Sequence, residues 1–80
     1  MITLDKNRDK YDRMDKAGLI NEIAALHDLQ VEVAEERYAI LWGTTGLHRN
    51  TTYIAVRYDA ELSEIQKCIA YANNRLENMD

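Results

Sequence analysis

Two runs of helix-period apolar residues, nearly equal in length and separated by one short turn segment, constrain this chain more than anything else in it. In the first, Ile20, Ala24, His27, Val31, Ala34, Tyr38 and Leu41 advance by alternating steps of four and three, which keeps one side of a helix over residues 17–42 turned inward. A flanking stripe of Leu19, Ile23, Leu26, Val33 and Ile40 widens that side, with Gln30 and Arg37 as gaps. In the second, Tyr58, Leu62, Ile65, Ile69, Ala72 and Leu76 repeat the same steps, with Ile54 one turn earlier, in a helix expected over 51–78. Residues 43–50 are the only turn-like segment: Gly43 is placed to stop the first helix, and Asn50 or Thr51 to cap the second. At 1.5 Å per residue, residues 17–42 and 51–77 come to about 39 and 40 Å, a match that predicts an antiparallel helical hairpin within a single all-α domain.

One segment allows another reading. Residues 51–58, Thr-Thr-Tyr-Ile-Ala-Val-Arg-Tyr, are rich in β-branched and aromatic side chains and have the composition of a strand, although no second run of that kind is there to pair with it. The N-terminal part, 1–16, differs from both arms. Thr3 is placed to cap a short helix starting at Leu4, and Leu4, Tyr11 and Met14 share one side of it. The remaining positions are mostly charged, which fits either a short amphipathic helix laid across the hairpin or a neighbouring subunit, or a solvated arm.

Size adds a second constraint. A chain of 80 residues and 9.3 kDa buries only about 60 to 65% of its unfolded surface and is marginal alone. Both arms carry apolar faces wider than one hairpin seam, so a homo-oligomeric bundle is expected. The single cysteine, Cys68, excludes an internal disulfide framework and a cysteine-built zinc site. His27, His48 and Cys68 are the soft metal ligands, and none has a second such residue three or four positions away, so no metal site is expected.

The net charge of −4 is unevenly spread, at +1 over residues 1–16, −4 over 17–42, +2 over 43–58 and −3 over 59–80. An acidic total without a basic block argues against duplex DNA as a partner, while leaving room for a small anion held by a few local bases. No apolar run follows a basic start and none approaches the ~18 residues of a membrane span, so the expected location is the cytoplasm and no membrane partner is anticipated. The sequence has no Ser/His/Asp spacing, phosphate-binding glycine loop or nucleophile elbow. Adjacent Glu35 and Glu36 point about 100° apart on a helix and cannot act as a pair. No enzymatic activity and no cofactor are expected.

The chain holds five tyrosines and one tryptophan. Tyr11 stands between Lys10 and Arg13 in the least apolar segment, which makes it the candidate ring for stacking a nucleotide base, with the neighbouring cations meeting phosphate. Trp42, with Leu47, sits at the hairpin tip, where an exposed aromatic residue would anchor a protein partner.

Residues 62–73, Leu-Ser-Glu-Ile-Gln-Lys-Cys-Ile-Ala-Tyr-Ala-Asn, resemble a helix of the phage anti-CBASS cyclic-nucleotide sponges, whose pattern runs approximately Leu-Thr-x-Leu-Glu-Glu-Ala-x-x-Trp-Ala-Asn. Leu62, Ala72 and Asn73 match, Ser63 stands for Thr, Ile65 for Leu, Cys68 for Ala, and Tyr71 for the tryptophan; the upstream Arg-Glu pair is missing, with Arg57 the nearby base. The resemblance implies a compact homo-oligomer that sequesters cyclic di- or trinucleotide signals without cleaving them. Taken with the bases around Tyr11, it leads to the expectation that Tyr11 stacks a base while Arg57, Ser63 and Lys10 or Arg13 hold phosphate. The alternative is a small acidic protein-binding inhibitor or adaptor, directed at a host protein and anchored by Trp42 and Leu47.

Overall fold

The computed structural model describes residues 2–43 and 51–79, with side chains for 2–42 and 53–79. It contains three helices, α1 (Leu4–Asp12), α2 (Lys16–Gly43) and α3 (Thr51–Glu77), and among the described residues no strand. Residues 51–58 are helical, so the extended alternative falls: in a helix, Ile54 and Tyr58 continue the apolar stripe of α3, whereas a strand would have had no partner. α2 runs to Gly43, the position expected to stop it.

The N-terminal segment folds rather than standing off in solvent. Thr3 is the N-cap residue of α1, but its side chain makes no capping bond. The first helical amide, Leu4 N, donates instead to Glu64 Oε2 on α3 at 3.4 Å, so the helix is capped by its neighbour. After a turn at residues 13–15, Asp15 Oδ1 accepts a hydrogen bond from Gly18 N at 2.7 Å and caps α2.

α2 and α3 pack antiparallel, and two polar pairs set their register. Gln30 Nε2 donates to Gln66 Oε1 at 2.9 Å, and Arg37 Nε lies 3.0 Å from Asp59 Oδ1, an ion pair whose angle falls short of a hydrogen bond. The members of these pairs are seven residues apart on each helix and run in opposite directions. The two polar gaps in the α2 stripe therefore meet partners at matching depth on α3. Slipping the hairpin by one turn would separate both.

The buried core consists of Tyr11, Leu19, Leu26, Val33, Ile65, Cys68, Ile69 and Ala72. On α3 this is the stripe anticipated from the sequence. On α2 the two apolar stripes exchange roles. The one expected to turn inward is largely exposed, with Ile20 at 49%, Val31 at 56% and Tyr38 at 65%, and with Ala24, His27 and Ala34 also exposed. The flanking stripe faces α3, with Leu19, Leu26 and Val33 buried and Ile23 and Ile40 half-buried. The reason lies in side-chain size and in the gaps. The inner stripe holds the larger branched residues, which gain most from leaving water, and its Gln30 and Arg37 find partners. α2 is consequently apolar on two sides, and one chain covers only one of them.

The molecule measures 51 × 19 × 14 Å with a radius of gyration of 15.3 Å, against about 12 Å for a globular domain of this length. An elongated hairpin of this size keeps much of its apolar surface wet.

Candidate functional site

α1 lies in the groove between α2 and α3 and fills one half of it. Its apolar side, Leu4, Tyr11 and Met14, rests on the core, as the sequence indicated. Its C-terminal end is gripped by α3: the Tyr71 hydroxyl donates to Asp12 Oδ1, Arg75 Nη2 donates to the Asp12 carbonyl at 3.3 Å, and Arg75 Nε lies 3.5 Å from Asp12 Oδ1. Arg8 adds a cation–π contact 5.8 Å from the Tyr71 ring centroid, and Lys10 Nζ lies 3.5 Å from Glu22 Oε2 on α2. The Asp12 hydrogen bond pushes the Tyr71 phenol up from its ordinary range, because ionisation would set two anions side by side.

Toward the hairpin tip, beyond the reach of α1, the groove is open. A cleft of about 320 Å³ is lined there by Glu36 and Ile40 of α2 and by Tyr53, Ile54, Arg57, Tyr58 and Glu61 of α3. Around it Tyr38, Trp42, Tyr53 and Val56 are all more than 60% exposed, and the rings of Tyr38 and Trp42 sit 6.0 Å apart. Two tyrosines, one guanidinium and two carboxylates thus share one cleft. This composition suits a ligand that carries an apolar body and charges of both signs. It suits a bare phosphodiester poorly, since two carboxylates oppose one arginine.

The residues proposed for nucleotide binding do not come together within one chain. Tyr11 is a correction: it is fully buried, its ring 6.3 Å from Tyr71 in the core, so it offers no face to a base. The sequence pointed the wrong way because Tyr11 is the large apolar side chain of a short charged helix, which is the one such a helix must bury to dock at all. Its buried hydroxyl lacks a hydrogen bond of full geometry; the Cys68 thiol is its polar neighbour, and burial pushes the phenol well above its ordinary range. Burial likewise raises the Cys68 thiol, which keeps it protonated and a poor nucleophile.

Lys10 is engaged with Glu22, and Arg13 is exposed at the end of α1. Arg57 lies about 21 Å along α3 from Tyr71, against which Tyr11 packs. Ser63 is exposed and six residues from Arg57, hence about 120° around the helix from it. Trp42 is exposed at 70% at the end of α2. Leu47 and His48 lie outside the described residues. Among the described residues no group of three or more His, Cys, Asp or Glu side chains converges, and no helix is long and apolar enough to cross a membrane.

The sequence reading overlooked Glu36, Tyr53, Tyr58 and Glu61 as cleft residues. Their signal was the 53, 57, 61 spacing, which places a tyrosine, an arginine and a glutamate on one side of α3. Comparison with protein families, curated proteins and solved structures finds no match to this chain.

Proposed function

We propose that the chain is a non-catalytic binding protein that assembles with copies of itself through the outer stripe of α2 and captures a protein partner at the open end of its hairpin. The observation that carries this reading is the outer stripe itself. Six positions with coiled-coil spacing, Ile20, Ala24, His27, Val31, Ala34 and Tyr38, are exposed on one side of α2, and half-buried Leu41 continues the stripe toward Trp42. A stripe of that regularity is the kind of surface that covers itself with another helix. Tyr38, Trp42 and Tyr53 supply the large, rigid side chains that dominate binding energy at protein interfaces. The resemblance to phage sponges would place such a protein among anti-defence inhibitors acting in a host cytoplasm.

Sedimentation at micromolar concentration tests the assembly. Wild-type protein is expected above the monomer mass, and Val31→Lys is expected to return it to a monomer with unchanged helical circular dichroism. Because Asp28, Glu32 and Glu35 border the stripe on each copy, added salt should strengthen the assembly by screening their repulsion. A wild-type monomer at every concentration and salt would overturn this part. Retention of a host partner by the wild type and its loss in Trp42→Ala and Leu47→Ala tests the tip; unchanged capture removes it from that role.

A second reading keeps the cyclic di- or trinucleotide as ligand, and what favours it is Arg57 beside Tyr53 and Tyr58 in an open cleft just ahead of residues 62–73. With Tyr11 buried, the stacking ring would have to come from these tyrosines and the remaining cations from a second copy. Calorimetry against a panel of cyclic di- and trinucleotides decides it, and absence of heat at tens of micromolar removes it.

A further inference from the structure

The cleft in the open half of the groove holds three charged groups, and none of them is in an ion pair among the described residues. Two are carboxylates on opposite walls. The register that pairs Gln30 with Gln66 and Arg37 with Asp59 sets Glu36 of α2 level with Ala60 of α3, one position from Glu61. The third group, Arg57, lies one turn of α3 from Glu61, about 6 Å nearer the tip. That spacing allows an ion pair on a helix surface, yet Arg57 and Glu61 are not joined in one. Between the charges the lining is apolar and aromatic, with Ile40, Ile54 and Tyr58, and Tyr53 stands one further turn toward the tip. At about 320 Å³ the cleft lies at the small end of ligand clefts, which run from roughly 300 to 1,000 Å³. It has room for one side chain with its polar ends.

We propose that this cleft is a socket for a C-terminal arginine of the partner protein. The inference rests on the protein-binding reading above and adds the chemistry by which the partner is recognised. The guanidinium lies between Glu36 and Glu61. Its five N–H donors form a planar fork that can bridge two carboxylates, and its plane stacks on a tyrosine ring, so arginine suits the site better than lysine. The aliphatic stem covers Ile40 and Ile54, and the terminal carboxylate meets Arg57. The six bonds from the guanidinium carbon of an arginine to its carboxyl carbon span about 6 to 7 Å. That length matches the turn of helix between Glu61 and Arg57. The preceding residues of the partner leave the socket over Tyr53. Charge decides between occupants. One arginine with its own carboxylate supplies a cation for the two acids and an anion for the base, whereas an acidic chain end would set its charges against two carboxylates and gain one guanidinium.

The probe is N-acetylarginine, which carries the guanidinium and carboxylate of such a chain end. It is added to isotope-labelled full-length protein and followed by amide chemical shifts. Shifts are expected at residues 36–40 and 53–61, with affinity in the millimolar range usual for a ligand of this size. Glu36→Gln and Glu61→Gln should each weaken binding about two- to fivefold, and N-acetylnorleucine, which has no cation, should not bind. Arg57→Gln should weaken N-acetylarginine by a similar factor, yet leave N-acetylarginine amide, which lacks the carboxylate, unchanged or tighter. Glu36 and Arg57 are exposed and Glu61 is half-buried, so these variants keep the fold, which circular dichroism checks. No shift at tens of millimolar would overturn the proposal. So would shifts centred on Asp28, Glu32 and Glu35, equal binding by the Glu36→Gln, Glu61→Gln double variant, or an Arg57→Gln effect that is the same for both compounds. Free arginine binding about tenfold tighter than N-acetylarginine would make the cleft a site for the amino acid instead of a chain end, and would also overturn it. Any of these results alongside Trp42-dependent capture of a partner would remove the socket while leaving the broader protein-binding role standing.

Discussion

The two ends of this hairpin are made from the same two helices yet differ in how completely they are folded. At the end near the chain termini a third helix covers the groove, and all eight buried residues lie there or at mid-length. At the tip end, among the described residues, two helices meet. No described side chain from residue 34 to 42 or from 53 to 64 is buried, and the most exposed aromatic residues of the chain gather there. The difference shows what two long helices can and cannot do alone. A pair of helices buries one seam; full burial needs a third element, and α1 is long enough to serve only one half. The covered half is a small self-sufficient core, and the uncovered half is a surface.

The comparison can be broken most decisively by truncating one apolar side chain in each half. Leu26→Ala should cost about 2 to 5 kcal/mol in urea unfolding. In dilute protein, Tyr38→Ala should stay within about 0.5 kcal/mol of wild type. Equal losses would mean that the tip half is folded as firmly as the rest.

Alkaline pH sharpens the same contrast. Tyr11 and Cys68 are neutral acids whose burial raises them above their unfolded values of 10.0 and 9.0. The unfolded chain therefore releases these protons first. Stability should be flat below about pH 9 and should fall as pH rises further, with the covered half giving way. Urea midpoints that do not change up to pH 11 would contradict this. The smallest effect is expected from Tyr11→Phe. Removing a buried hydroxyl that has no full hydrogen bond should leave stability unchanged or raise it by up to about 1 kcal/mol. A loss of 2 kcal/mol would show that the contact with the Cys68 thiol is a strong one.

The pairing of two long helices was legible because periodicity reports on burial whatever the partner is. The α3 stripe from Tyr58 to Leu76 and the end of α2 at Gly43 follow from local rules, whereas the start at Leu4 was placed correctly although its cap comes from Glu64 on α3. The direction of α2 was not legible. Two apolar stripes lie side by side on it, and periodicity shows an apolar arc without saying which edge meets α3. What decided it was pairing across the hairpin, Gln30 with Gln66 and Arg37 with Asp59, which no single helix reveals. Tyr11 was misread for a related reason. Tyr11 was read against its charged neighbours in sequence, whereas its fate was set by Tyr71, Ile65 and Cys68, more than fifty residues away. The exposure of Trp42 was legible because it lies beyond the reach of α1, and it is 70% exposed.

The claim that one half is complete and the other awaits a partner is tested most directly by amide hydrogen exchange as a function of protein concentration. The account predicts slow exchange over residues 19–33 and 65–72 at every concentration, and fast exchange over 36–43 and 51–61 in dilute protein that slows as copies assemble. Uniform, concentration-independent protection along both helices would contradict it.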